Sequence, residues 1–160
     1  GERSENVFSD PRSHIYIDDA KTFFTKNNKK YDLIVSEPSN PWVSGVSGLF
    51  TEEFYKHISR HISENGMFAQ WIHLYEMDDR LIGSVIAALS DNFKDFTVYQ
   101  MNSADVLVLA SNQTMKDPWS DVFSVPSILR ETERLGIKNL DDLRIRKLGG
   151  KQFFYVACLG

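Results

Sequence analysis

Two periods run through the hydrophobic and polar positions of this chain. Phe50, Phe54, Ile58 and Ile62 fall four apart and make one apolar stripe, the mark of an amphipathic helix. Thr51 is placed to cap that helix, Glu52 and Glu53 sit in its first turn, and Gly66 stands just past its expected end. A second helix is expected over "DDRLIGSVIAALSDNF" (78–93), with Leu81, Val85 and Leu89 beside Ile82 and Ile86 on its buried face. A shorter one, "AKTFFTKNN" (20–28), follows the capping residue Asp19 and turns Phe23 and Phe24 inward. Between these segments the pattern shortens to that of strands: "HIYI" (14–17), "YDLIVSE" (31–37) and "MFAQWIHL" (67–74). The apolar centre of "YDLIVSE" is continuous, which predicts burial on both faces, as in a parallel sheet. "FTVYQM" and "DVLVLAS", separated by "NSA", read as an antiparallel hairpin. After Gln113 the chain reads as a linker containing Pro and Trp, a helix near 126–135, a short "NLDDLRIRK" segment, and an apolar "QFFYVACLG" with the look of a strand.

Strand–helix alternation closed by a hairpin predicts an α/β fold with a mostly parallel sheet and a C-terminal antiparallel pair. Residues 1–112 form its main body and 113–160 an extension. In such sheets the working residues lie outside the carboxyl ends of the strands. Three strand ends are therefore candidates. Asp18 and Asp19 can accept hydrogen bonds from an amino group or a ribose hydroxyl, or simply cap a helix. In the loop from Glu37 to Gly45, Glu37 offers a charge, Asn40 both a donor and an acceptor, and Pro38 and Pro41 stiffen the backbone around them. Gln70 and Tyr75, at the third end, can orient an amine or a nucleotide, while Trp71 suits core packing.

Composition narrows the chemistry. A formal charge of −4 without a basic cluster argues against a nucleic-acid surface. The single cysteine, Cys158, leaves no internal disulfide and suits a reducing, cytoplasmic setting. His57 and His61 stand at the i, i+4 spacing of metal ligands but flank the apolar stripe with no third ligand in view, so no metal is expected. His14 and His73 read as ordinary strand histidines.

The segments "DPRSHIYIDDAKTFF", "YDLIVSEPSNPWVSGVSGLFTEEFY", "GMFAQWIHLYEM" and "DVLVLAS" occur in this order. Over about residues 7–112 they resemble the spermidine/spermine synthase family of aminopropyltransferases, in particular its bacterial spermidine synthase-like branch, some of whose members carry membrane segments elsewhere. The resemblance implies a Rossmann-like S-adenosylmethionine-dependent methyltransferase fold. It implies decarboxylated S-adenosylmethionine as co-substrate, without a metal, and transfer of its aminopropyl group to an amine such as putrescine. The family's G-D-[GA] stands here as Asp18-Asp19-Ala20, which places Asp19 on adenine with Asp18 and Ala20 beside it. Its D-[ST]-[ST]-D-P stands as Glu37-Pro38-Ser39-Asn40-Pro41, which makes Glu37 and Asn40 the catalytic candidates and puts Pro41 with the nucleotide. Gln70 and Tyr75 fall where the family lines its amine pocket.

Two departures accompany the resemblance. Asn40 replaces the family's second loop aspartate, and a neutral amide cannot take a proton from the attacking amine. No G-x-G-x-x-G motif occurs in the chain. The expectation is therefore the carboxyl-terminal part of a longer protein, cytoplasmic or the cytoplasmic portion of a membrane-attached parent. Its sheet edge is expected to pair in a homodimer or with the missing amino-terminal part. An S-adenosylmethionine-dependent methyltransferase and a non-catalytic assembly module of the same fold are the alternatives.

Overall fold

In a computed structural model of the chain, the described residues are 7–38, 46–75, 77–116 and 120–159. Helix α1 (Ala20–Lys26) starts where Asp19 accepts a hydrogen bond from the Thr22 amide. Strand β1 (Tyr31–Ser36) follows. A 3-10 turn (Val46–Phe50) leads into α2 (Glu52–His61), capped by Thr51 through the Phe54 amide and carrying acids in its first turn and Arg60 and His61 in its last. Phe50, Phe54, Ile58 and Ile62 are all buried, as their spacing predicts.

The end of α2 departs from the expectation. The helix stops at His61 and the chain passes directly into β2 (Ile62–His73), so Gly66 lies inside a strand and does not cap a helix. A Cβ at Gly66 would stand 2.7 Å from the Ile62 side chain and 2.8 Å from the Tyr31 carbonyl oxygen. Glycine is required there by the close approach of β1, a packing reason and not a helix-ending one.

Helix α3 (Asp79–Asn92) is capped by Asp78 through the Leu81 amide and buries Val85, Ile86, Ala88 and Leu89. Strands β3 (Asp95–Gln100) and β4 (Asp105–Ser111) form the expected hairpin, tied at its turn by the Met101 amide donating to the Asp105 carbonyl. Beyond it come α4 (Pro126–Arg134), α5 (Leu140–Arg146, capped by Asn139), β5 (Lys147–Gly150) and α6 (Lys151–Leu159).

Among the described residues five strands lie in the order β1-β2-β4-β3-β5. Only β1 and β2 are parallel; β2–β4, β4–β3 and β3–β5 are antiparallel, so the sheet is mixed and not mostly parallel. The hairpin turns β4 back between β3 and β2, which reverses every pairing beyond β2.

One face of the sheet carries the core. Ile34, Phe68, Ile72, Val98, Val106, Val108 and Ala110 meet α2 and α3 there. Phe68 and Phe93 stack with centroids 5.8 Å apart, and Phe54 and Tyr55 contact Phe68 at tilted or edge-on angles. On the opposite face Leu33 and Val35 are 57% and 64% exposed, so β1 is buried on one face and not on two.

Two segments expected as strands take other forms. "HIYI" is irregular, and Ile17 is fully exposed. Among the described residues β1 pairs with β2 alone, which leaves "HIYI" without a ladder, and Tyr16 rests instead on the Phe23 ring at 5.2 Å. Of "QFFYVACLG" the described residues, 152–159, fall in helix α6. The strand is the preceding Lys147–Gly150, which takes the free edge of β3. Phe154 then lies against Phe96 at 6.3 Å, and Lys151 Nζ donates to the carbonyls of Ser90 and Phe93 at the end of α3.

The two faces of the sheet make a quantitative contrast. Phe68→Ala should cost about 3–5 kcal/mol, the usual loss for truncating a fully buried phenylalanine. Leu33→Ala should change stability by less than about 0.5 kcal/mol, as for an ordinary surface position. Urea unfolding midpoints of the two variants check this; equal losses would place Leu33 in a second core.

Candidate functional site

The carboxyl ends of β1 and β2 form one rim. Ser36 stands opposite Gln70, so Glu37 leaves the sheet level with Trp71, and His73 lies farther out along the same edge. Glu37 is exposed and Pro38 buried, an arrangement that anchors the loop's start and leaves its acid in solvent. Asn40 and Pro41, with Ser39, Trp42 and Gly45, lie outside the described residues.

The return of the loop is held from below. Gln70 is completely buried. Its Nε2 donates to the Leu49 carbonyl at 3.1 Å, and its Oε1 accepts from the Tyr55 hydroxyl at 2.7 Å. Tyr55 is completely buried as well, and that burial pushes its phenol far above the usual tyrosine range, so it stays a neutral donor. Both ends of the Gln70 amide are engaged. The residue expected to line an amine pocket is therefore buried, and it ties β2 to α2 and to the turn that precedes α2.

Tyr75 is 54% exposed just beyond β2, with its ring 5.7 Å from that of His73. His73 is not an ordinary strand histidine: its Nδ1 lies 2.6 Å from Asp105 Oδ1, across the β2–β4 ladder in which the two residues are register partners. Asn102 Nδ2 donates to the other carboxylate oxygen of Asp105 at 2.6 Å. These bonds, Asn102 first and then His73, hold the Asp105 carboxyl below the usual carboxylate range. The Leu74 amide donates to the Ala104 carbonyl and closes the rim at this corner. Sequence reasoning missed the pair because His73 ends one strand and Asp105 begins another; only the antiparallel register of β2 and β4 joins them.

Asp19 caps α1, accepting from the Thr22 amide at 2.9 Å, and that bond holds its carboxyl below the usual range. Asp18 accepts from the Asp19 amide and lies 3.5 Å from Lys26 Nζ; Ala20 is the first residue of the helix. Both acids are exposed, so a cap and a ligand contact are compatible at this turn. An open groove of about 610 Å³ runs between α1 and β1, walled by Tyr16, Phe23, Phe24, Tyr31 and Leu33. It lies toward the start of β1, away from the rim. His61, paired with His57 in the metal reading, directs its ring nitrogens at the carbonyls of His57 and Asn27, both at 2.8 Å.

Helices on a sheet that ends in an antiparallel hairpin, with a polar rim at its carboxyl edge, define the class: a Rossmann-like fold of the S-adenosylmethionine-dependent methyltransferase type. Human methyltransferase-like protein 13, solved with S-adenosylhomocysteine, has this fold with a TM-score of 0.57 at 16% identity, over 78% of this chain and 57% of that one. A probable spermidine synthase from Corynebacterium glutamicum superimposes with a TM-score of 0.66 at 18% identity, over 99% of this chain and 57% of the other. The family model of the spermine/spermidine synthase domain matches residues 1–109, and the chain belongs to that family. The polyamine aminopropyltransferase of Pectobacterium atrosepticum is 37% identical over 98 residues, 61% of this chain and 33% of the relative. The chain thus spans about one third of the length of the curated relatives it matches.

Two outcomes are expected from this geometry. Tyr55→Phe removes the donor to a buried amide oxygen and should cost about 1–3 kcal/mol. It should also speed hydrogen exchange in the turn around Leu49; unchanged exchange would mean the Gln70 bridge does not hold the loop. Because the folded Asp105 carboxyl lies below its unfolded value, its stabilising contribution is present above about pH 4 and is lost as pH falls through the folded value. Asp105→Asn should therefore lower the melting temperature at neutral pH and flatten its acid limb, read by calorimetry across that range.

Proposed function

We propose that this chain carries amine-binding and donor-binding residues of an aminopropyltransferase site, in which the aminopropyl group of decarboxylated S-adenosylmethionine passes to a diamine such as putrescine. The observation that carries the reading is the family match over residues 1–109, which includes the whole Glu37–Gly45 loop at the rim where β1 and β2 end. The polyamine aminopropyltransferase relative supports the same chemistry.

In this reading Glu37 provides the countercharge for the far ammonium of the diamine, and Asn40 accepts a hydrogen bond from the attacking nitrogen. Tyr75 walls the amine site. Asp19 meets the adenine of the donor, with Asp18, Ala20 and Pro41 around it. Gln70 contributes by fixing the end of the loop. The sulfonium carbon is already activated, so the protein's main contribution is to bring nitrogen and carbon into line. The amine lone pair forms the new N–C bond, the C–S bond breaks toward sulfur, and methylthioadenosine leaves as a neutral thioether. A cytoplasmic setting and pairing of the exposed β1 edge, in a homodimer or with a further segment of the same fold, belong to the same proposal.

Calorimetric titration with methylthioadenosine, compared with S-adenosylhomocysteine, is the test. Saturable binding that prefers methylthioadenosine, followed by aminopropyl transfer to putrescine, is the expected result. Preference for S-adenosylhomocysteine would turn the reading toward methyl transfer. Absence of binding to both would remove the donor site from this chain.

A further inference from the structure

The proposed transfer has a proton to account for, and the rim holds a group suited to it. A primary amine is largely protonated at neutral pH and has no lone pair to attack with until it loses that proton. The loop residue in the expected position, Asn40, is an amide and cannot act as a base. Glu37, ahead of it, is given to the far ammonium.

Resting on that reading, we propose that His73 is the base that takes the proton from the acceptor amine, held for that role by Asp105. The geometry is that of an oriented imidazole. Asp105 accepts the Nδ1–H of His73 at 2.6 Å, which fixes the tautomer and leaves the Nε2 lone pair as the basic position. Asp105 is itself steadied by Asn102 at 2.6 Å. The two side chains are 25% and 16% exposed, so the pair is sheltered without being sealed. It stands at the carboxyl edge of β2, and the ring beside it is Tyr75, the proposed wall of the amine site. Trp71 and His73 project from the face of β2 opposite Phe68, Gln70 and Ile72, the residues packed on α2 and α3, so the imidazole does not enter the core.

The step balances. The ammonium gives its proton to His73 Nε2 and regains its lone pair. That pair forms the N–C bond as the C–S pair departs onto sulfur. The product is a secondary ammonium and a thioether, and His73 returns its proton to solvent before the next turnover. The charged or titratable groups placed against the ring among the described residues are Asp105 from β4 and the Tyr75 phenol from its own segment.

The test is the pH profile of putrescine transfer by the wild-type protein, His73→Gln and Asp105→Asn, with folding of each variant confirmed by circular dichroism. His73→Gln should lower kcat about 100-fold or more at neutral pH, the usual worth of a positioned base, and leave KM for putrescine little changed. Its rate should climb toward the wild-type rate as rising pH supplies neutral amine. Asp105→Asn should show the same split in milder form. A His73→Gln profile parallel to wild type, or a loss confined to KM, would overturn the assignment while leaving aminopropyl transfer standing. Imidazole 15N spectra give a readout that does not depend on turnover: saturating putrescine should shift the His73 Nε2 resonance. If wild type transfers nothing, the function fails on that control. In that case an unmoved His73 signal overturns the present inference as well, and a shifted one retains His73 as an amine contact.

Discussion

A buried amide in the middle of a hydrophobic sheet is the constraint around which the rest is arranged. Gln70 occupies a core-facing position of β2, between Phe68 and Ile72, where an unpaired amide group would cost about 1–3 kcal/mol. Tyr55 and the Leu49 carbonyl meet both of its ends. To do so α2 must lie across β2 with Tyr55 directly above Gln70, and the turn before α2 must return to the sheet at Leu49. The apolar packing of Phe54, Ile58, Phe68 and Phe93 supplies most of the burial energy, but it is non-directional. The Gln70 bridge is directional, and it selects one register of helix on sheet.

That register positions the rim. Leu49 is held by Gln70 and Pro38 is buried just beyond β1, so the described residues nearest the rim are fixed to the sheet. Across the sheet the β2–β4 pairing does the same for the second corner, setting His73 against Asp105 and Leu74 against Ala104. Among the described residues, the rim thus carries the exposed Glu37 at one corner and the paired His73 and Asp105 at the other. The chain belongs to the spermine/spermidine synthase domain family, whose model matches residues 1–109 and so takes in both corners of this rim.

Much of this was legible beforehand. The caps at Asp19 and Thr51, the four-residue stripe from Phe50 to Ile62 and the β3–β4 hairpin all appear as expected. Each depends on residues within a few positions of one another, where spacing and capping chemistry act directly. The misreadings share an opposite character. "HIYI" has the composition of a strand, yet a strand exists only where a neighbour accepts its hydrogen bonds. "QFFYVACLG" has strand-like residues too, but β5 already occupies the β3 edge, and Lys151 and Phe154 dock the following turn onto α3 as a helix.

Local periodicity and a family-specific loop were enough, from the chain alone, to establish the α/β class, the order of its main elements and the loop at the end of β1. Tertiary structure decided which face of β1 is buried, that Gln70 braces the loop from inside the core, and that His73 and Asp105 form a pair. The physical reason is distance along the chain. Tyr55 and Gln70 are separated by 15 residues and His73 and Asp105 by 32, and no local pattern encodes a hydrogen bond between strands until their register is set.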